Sequence, residues 1–288
     1  MSMVLNQFDP AREALFNPRD VVSPIPGFPK TLVTCFAHNL IEYAIEKYPS
    51  EIAGYQHTCN GATPVYRVRF GDCELGLTMT LVGAATAVAQ YEELFAMGAE
   101  RIIVFGTCGV LDGSIASCGI ILPDRAVRDE GTSYHYAPAA DEIAVNEGYL
   151  PFLREFLDSM RVRYTVGKVW TTDAIYRETR EKVARRRAEG CVCVDMESAA
   201  FAALSQFRGK PILQFFYAAD NLDCEQWDKR SLANHESLDE KHAIVELSFL
   251  LAAALDRGDF ESGSAGPIAD CCRTSHDDFE SGSDSKSC

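Results

Sequence analysis

Positive charge is what this sequence has least of. Its 288 residues hold 27 Lys and Arg against 42 Asp and Glu, a formal net charge of −15. With an isoelectric point near 4.8, the chain does not read as a nucleic-acid binder, because such proteins gather Lys and Arg on one face. Long apolar runs are missing too. No stretch of about 18 uncharged apolar residues occurs, so no transmembrane helix and no membrane partner are expected. Met1 to Asp9 has neither a basic n-region nor an apolar h-region and does not read as a signal peptide. Metal-site spacing is also lacking. Cys191 and Cys193 stand as C-x-C without a second Cys/His pair, which predicts buried strand thiols rather than zinc ligands. Eleven cysteines, odd in number and scattered, read as reduced thiols of a cytoplasmic protein rather than a disulfide framework. Neither a metal nor another cofactor is expected.

What is present is a globular share of apolar residues, 47%, which excludes a wholly disordered chain. A body of this size buries roughly 75% of its unfolded surface and needs no staples. The composition changes at residue 256. Residues 1–255 read as one domain, and 256–288 as an acidic tail rich in Gly and Ser. The tail repeats Asp-Phe-Glu-Ser-Gly-Ser at 259–264 and 278–283, and carries 8 acidic and 3 basic residues. Too little apolar surface is available there to offset ordering entropy, so the tail is expected to be disordered. A docking role for the repeat is the alternative.

Upstream of the break, strands and helices alternate. Strands are predicted at 65–70, 75–81, 101–106, 119–122 (stopped by Pro123), 165–170, 191–194 and 211–217. Helices are predicted at 84–97, 150–160, 179–188, 198–206 and 242–255. Alternation of this kind predicts an α/β sheet covered on both faces.

Ligands of such sheets bind beyond the carboxyl ends of the strands, and four ends carry unusual residues. Gly106-Thr107-Cys108-Gly109 follows one strand, and its glycines suit either a plain turn or a close approach to backbone N–H groups. Asp195-Met196-Glu197 opens a helix, as N-terminal charge bias or as a carboxylate that accepts sugar hydroxyls. Asp220 ends another strand, either as a turn residue or as a buried acid holding its proton near neutrality. Tyr176, after Trp170-Thr171-Thr172-Asp173, offers a ring to stack on a planar ligand or to fill the core.

Together, in this order, these segments resemble the nucleoside phosphorylase superfamily, which includes purine nucleoside and uridine phosphorylases and related nucleosidases. The resemblance spans residues 27–255. Val194-Asp195-Met196-Glu197-Ser198-Ala199-Ala200 is similar to its Met-Glu ribose motif, and Gly106-Thr107-Cys108-Gly109 to its phosphate- and base-side loop. Leu81-Val82-Gly83-Ala84 resembles its Gly-rich turn. Val127-Arg128-Asp129-Glu130-Gly131-Thr132-Ser133 resembles the Arg-x-x-Gly-x-Ser stretch of the uridine-phosphorylase-like branch. The fold so implied is a single-domain three-layer α/β sandwich with a central mixed sheet.

The implied roles follow residue by residue. Glu197 binds the ribose hydroxyls with Met196 against the sugar and Asp195 in the same motif. Thr107 contacts phosphate, Cys108 and Gly109 line the base side, and Tyr176 flanks the base. Asp220 protonates a purine at N7. Gly83 and Arg128 join the substrate site. Two positions depart from the pattern. Lys30 and Thr31 fall where the phosphate loop ends in Arg, so that Lys30 substitutes as a point charge, and Val104 falls on a second arginine. Thr179-Arg180-Glu181 replaces the uracil-reading Gln-x-Arg. The expected function is N-glycosidic cleavage of a nucleoside, purine favoured, with phosphate as co-substrate, giving free base and pentose 1-phosphate in a homo-oligomer. Hydrolysis by water, uridine phosphorolysis and non-catalytic nucleoside binding are the alternatives.

Overall fold

Apolar runs bounded by glycine, proline or charge become strands in the computed structural model, which describes residues 4–59, 61–232 and 235–258. The chain enters through α1 (Pro18–Val21), β1 (Thr31–Cys35) and α2 (His38–Lys47). The strands β2 (Ser50–Thr58), β3 (Gly61–Phe70) and β4 (Cys73–Met79) follow. Then come α3 (Ala84–Met97), β5 (Arg101–Val110), β6 (Ile120–Asp129), β7 (Glu142–Ala144) and α4 (Leu150–Ser159). The rest is β8 (Tyr164–Thr172), α5 (Arg180–Ala188), β9 (Cys191–Asp195), α6 (Ser198–Arg208), β10 (Ile212–Asn221) and α7 (Leu238–Asp256).

The strands form one mixed sheet between helical layers. Its path is β10-β6-β8-β9-β5-β1-β4-β3-β2, with β7 on β6, and β10 also pairs β5. That extra pairing closes β5, β10, β6, β8 and β9 into a ring, while β1 to β4 extend from it as an open wing. One face packs Leu40 and Ile41 of α2, Phe152 and Phe156 of α4, and Phe249 of α7 into a single apolar layer. The other packs Val88, Tyr91 and Leu94 of α3 against Phe201 and Leu204 of α6. Tyr91 is fully buried, and its hydroxyl is satisfied by those of Thr34 and Thr80. Among the described residues no helix is long and apolar enough to cross a membrane.

Three sequence expectations change. Pro123 does not stop a strand: β6 runs through it, and Asp124 is skipped in the register with β8. A bulge lets a residue without an N–H sit inside a ladder. Residues 106–109 are not a loop but part of β5, which continues to Val110. Finally, Asp256 belongs to α7, not to the tail. Its carboxylate takes the Thr31 hydroxyl and faces Arg101 at 3.5 Å. The tail from residue 259 lies outside the described residues. Cys191 and Cys193 are buried in β9 as the pattern predicts.

Candidate functional site

Parallel pairing of β1, β4, β5 and β10 brings their carboxyl ends to one edge. β9 crosses β5 there, with Val194 opposite Gly109. A cleft of about 980 Å³ opens at this meeting point, lined by Thr107, Met196, Glu197 and Asp220 among others. Small residues make the convergence possible. A Cβ on Gly109 would lie 2.5 Å from Leu222 Cδ1, 3.1 Å from Val194 Cγ1 and 3.2 Å from Asp220 Oδ1. A Cβ on Gly106 would meet the Phe36 ring at 2.7 Å. Neither glycine adopts a positive φ, so what they supply is room for neighbouring side chains, not a turn.

Glu197 is buried at the N-cap of α6. Its Oε1 accepts the Gly83 N–H at 2.6 Å. Gly83 caps α3 with φ +102°, a conformation that costs a residue with a Cβ. Asp195, two residues before Glu197, plays another part. Its Oδ1 takes the Thr171 hydroxyl at 2.7 Å, and its Oδ2 takes the N–H groups of Glu197 at 3.0 Å and Ser198 at 2.7 Å. Asp195 therefore holds the start of α6, and its oxygens are already occupied. Burial pushes both carboxyls up. Three donors favour the charged form of Asp195, and that charge further disfavours ionisation of Glu197. Of the two carboxyls, Glu197 is therefore the one whose protonated form its surroundings favour more.

Asp220 reaches the cleft through a bulge. In the β10–β5 register Ala218 pairs Cys108 and Asp220 pairs Gly109, so Ala219 is the extra residue. The Trp227 indole N–H donates to Asp220 Oδ2 at 2.7 Å. Burial raises the Asp220 pKa, and the indole opposes it. Thr107 projects into the open cleft, and Met196 is half-buried on its wall. Tyr176 is 95% exposed at the cleft, which removes the core-packing alternative for its ring.

Other predicted residues fall elsewhere. Lys30 precedes β1 at the amino ends of the parallel strands, where it pairs Glu100 at 3.0 Å. It is on the edge opposite the cleft, as is Thr31. The chain reaches the cleft instead at Phe36, after the carboxyl end of β1. Arg128 is buried and fully committed. Its Nε donates to Ser133 Oγ at 2.8 Å, and its Nη1 and Nη2 donate to the Pro138 and Ala137 carbonyls at 2.6 and 3.3 Å. It fastens the 130–138 segment and does not line the cleft. The Cys108 backbone borders the cleft, but its thiol packs into the core beside Val110 and Cys193.

The sequence reading missed Trp227, Leu222, Phe36 and Glu178, all of which line the cleft. Two arginines line it too, and both are engaged: Arg180 with the Glu225 carbonyl and Arg187 with the Asp223 carboxylate. Among the described residues no group of three or more His, Cys, Asp or Glu is arranged to hold a metal ion.

With this geometry in place, known proteins give the context. The sequence profile of the phosphorylase superfamily matches residues 32–253. A guanosine phosphorylase of Halorubrum lacusprofundi is 25% identical over 145 residues, which is 50% of this chain and 60% of that protein. The match thus spans about three fifths of that relative. Among solved structures, a uridine phosphorylase from Vibrio fischeri shares 19% identity with a TM-score of 0.65, over 84% of this chain and 96% of that one. An AMP nucleosidase from Bacteroides thetaiotaomicron shares 20% identity with a TM-score of 0.64, over 83% and 92%. At these identities the two structures share the fold.

Proposed function

The chain belongs to the phosphorylase superfamily, and from that premise we propose that it cleaves the N-glycosidic bond of a purine nucleoside, with phosphate as acceptor. One observation carries the reading: a carboxyl that can accept sugar hydroxyls, Glu197, and one that can hold a proton, Asp220, line a single cleft. Glu197 Oε1 is bound by Gly83, which leaves Oε2 for the ribose. Met196 packs on the sugar. Asp220 delivers a proton to N7 as the bond breaks, so that the base leaves neutral and the sugar passes through an oxocarbenium-like state. Thr107 meets the incoming acceptor. The guanosine phosphorylase relative supports both a purine and phosphate.

Hydrolysis is the second reading, favoured by the placement of Lys30 at the far edge and by the engagement of Arg180 and Arg187. Phosphate is best bound by free guanidinium forks. The homo-oligomer stays part of the proposal. Val82, Ile175, Tyr176 and Trp227 are exposed around the cleft and are what a second copy would cover. Among the described residues the buried cysteines, Cys35, Cys108, Cys191 and Cys193, are free thiols, which supports a cytoplasmic setting.

The test is a nucleoside panel with and without phosphate. Phosphate-dependent release of base with pentose 1-phosphate supports phosphorolysis, and full activity without phosphate moves the chain to the nucleosidases. Asp220→Asn is expected to slow inosine or adenosine cleavage by about 10²–10⁴-fold. It should barely affect a 7-methylated purine nucleoside, whose base needs no proton to leave. Equal damage to both substrates, or wild-type cleavage of uridine alone, removes the purine-acid reading.

A further inference from the structure

One carboxylate in the cleft has no part in breaking the glycosidic bond. Glu178 follows the short turn Ile175–Arg177 and lines the cleft with Asp220. Its side chain is half-buried, and among the described residues no hydrogen bond or ion pair occupies its oxygens. A half-buried carboxylate facing an apolar-walled cleft is costly unless something there uses it. Purine geometry suggests what does. N7 and the substituent on C6 stand side by side on one edge of the ring system, so a base whose N7 meets Asp220 offers its six-substituent to a neighbour of Asp220.

We propose that Glu178 reads the six-substituent of the purine, accepting from a 6-amino group as a carboxylate and donating to a 6-oxo group as an acid. The inference rests on the purine reading above. Burial and the charge of Asp220 push the Glu178 carboxyl up to about 7, and Lys182 on α5 opposes them. The other charged groups lining the cleft are Arg180 and Arg187, held by the Glu225 carbonyl and by Asp223, and the carboxyl groups of Asp195, Glu197, Asp223 and Glu225. Glu178 therefore changes its hydrogen-bonding sense within the physiological range. Base preference becomes a function of pH: 6-oxopurines are favoured on the acid side and 6-aminopurines on the alkaline side. Titration of Glu197 acts on every nucleoside alike, and that of Asp220 reaches the six-substituent only through its charge on Glu178, a route that Glu178→Gln removes.

The experiment measures kcat/KM for adenosine and inosine from about pH 6 to about pH 8, in the wild type and in Glu178→Gln. In the wild type the adenosine-to-inosine ratio is expected to rise about tenfold or more across the range, the span of one charged hydrogen bond gained or lost. In Glu178→Gln, whose amide both donates and accepts, the ratio should stay within about twofold of constant. A flat wild-type ratio with both purines cleaved overturns the role of Glu178 and leaves the purine reading standing, and it does so even if the variant fails to fold. A variant ratio that climbs as the wild type does also overturns it. Cleavage of uridine with neither purine touched overturns the purine reading and this inference with it.

Discussion

Two residues apart, Asp195 and Glu197 do different work because their surroundings differ. Asp195 spends its oxygens on Thr171 and two backbone N–H groups, while Glu197 keeps one oxygen for a ligand. Burial favours the protonated form of Glu197, whereas ribose hydroxyls that donate to it favour the carboxylate. Nucleoside binding near pH 7 is therefore expected to release protons, read by titration calorimetry in buffers of different ionisation enthalpy, and Glu197→Gln should abolish the release. Binding without proton exchange removes the hydroxyl-accepting role. Stability carries the same signature. The native state binds more protons than the unfolded chain above the ordinary carboxylate range, so stability falls as pH rises through that interval, and Glu197→Gln flattens the fall. The identities of Glu197, Asp220 and Thr107 as cleft residues were legible because each lies near the carboxyl end of a strand: Glu197 just past β9, Asp220 beside the last residue of β10 and Thr107 within the last four of β5. Lys30 was misplaced because β1 went unread. Without the direction of that strand, residues before it and after it cannot be assigned to an edge.

At the scale of elements, the start of α6 depends on two linked side chains, Asp195 and Thr171, whose hydroxyl accepts the Ala199 N–H at 3.1 Å. Asp195 supplies the acceptors that an N-terminus leaves wanting, and Glu197, the N-cap, has no side-chain cap of its own. Asp195→Ala is expected to cost about 1–3 kcal/mol in stability, and more in activity than in stability, because Glu197 loses its fixed position. Thermal unfolding and kcat/KM measured together check this; a stability loss with unchanged activity would separate Asp195 from the site. Helices α3, α4 and α5 were readable within a residue or two, since their apolar spacing and ends are local. The wing was less so. β2 is mostly exposed, so its sequence lacks the apolar alternation that marks a buried strand. Pro123 and the glycines of β5 misled for one reason. Their usual meaning is a break, yet a bulge in one case and crowding neighbours in the other make them fit a continuous strand.

For the whole molecule, the sheet closes on itself because β10 pairs both β5 and β6, a long-range event that no local pattern announces. The end of the body is fixed by contacts rather than composition. Asp256 ties the last turn of α7 to Thr31 and Arg101. Deleting 259–288 is expected to move Tm by less than about 4 °C, whereas ending the chain before Leu255 should lower it by more. Calorimetry on the two truncations decides; equal losses would mean the tail packs on the body. One small irregularity has a larger reach. Because successive strand residues point to opposite faces, the extra Ala219 sets the parity of everything after it. Were the same sequence a regular strand without the bulge, residue 220 would pair Val110 instead of Gly109 and Asp220 would turn its back on the substrate. A related chain could then match this one at every residue of the cleft and still be inert, one count out of phase.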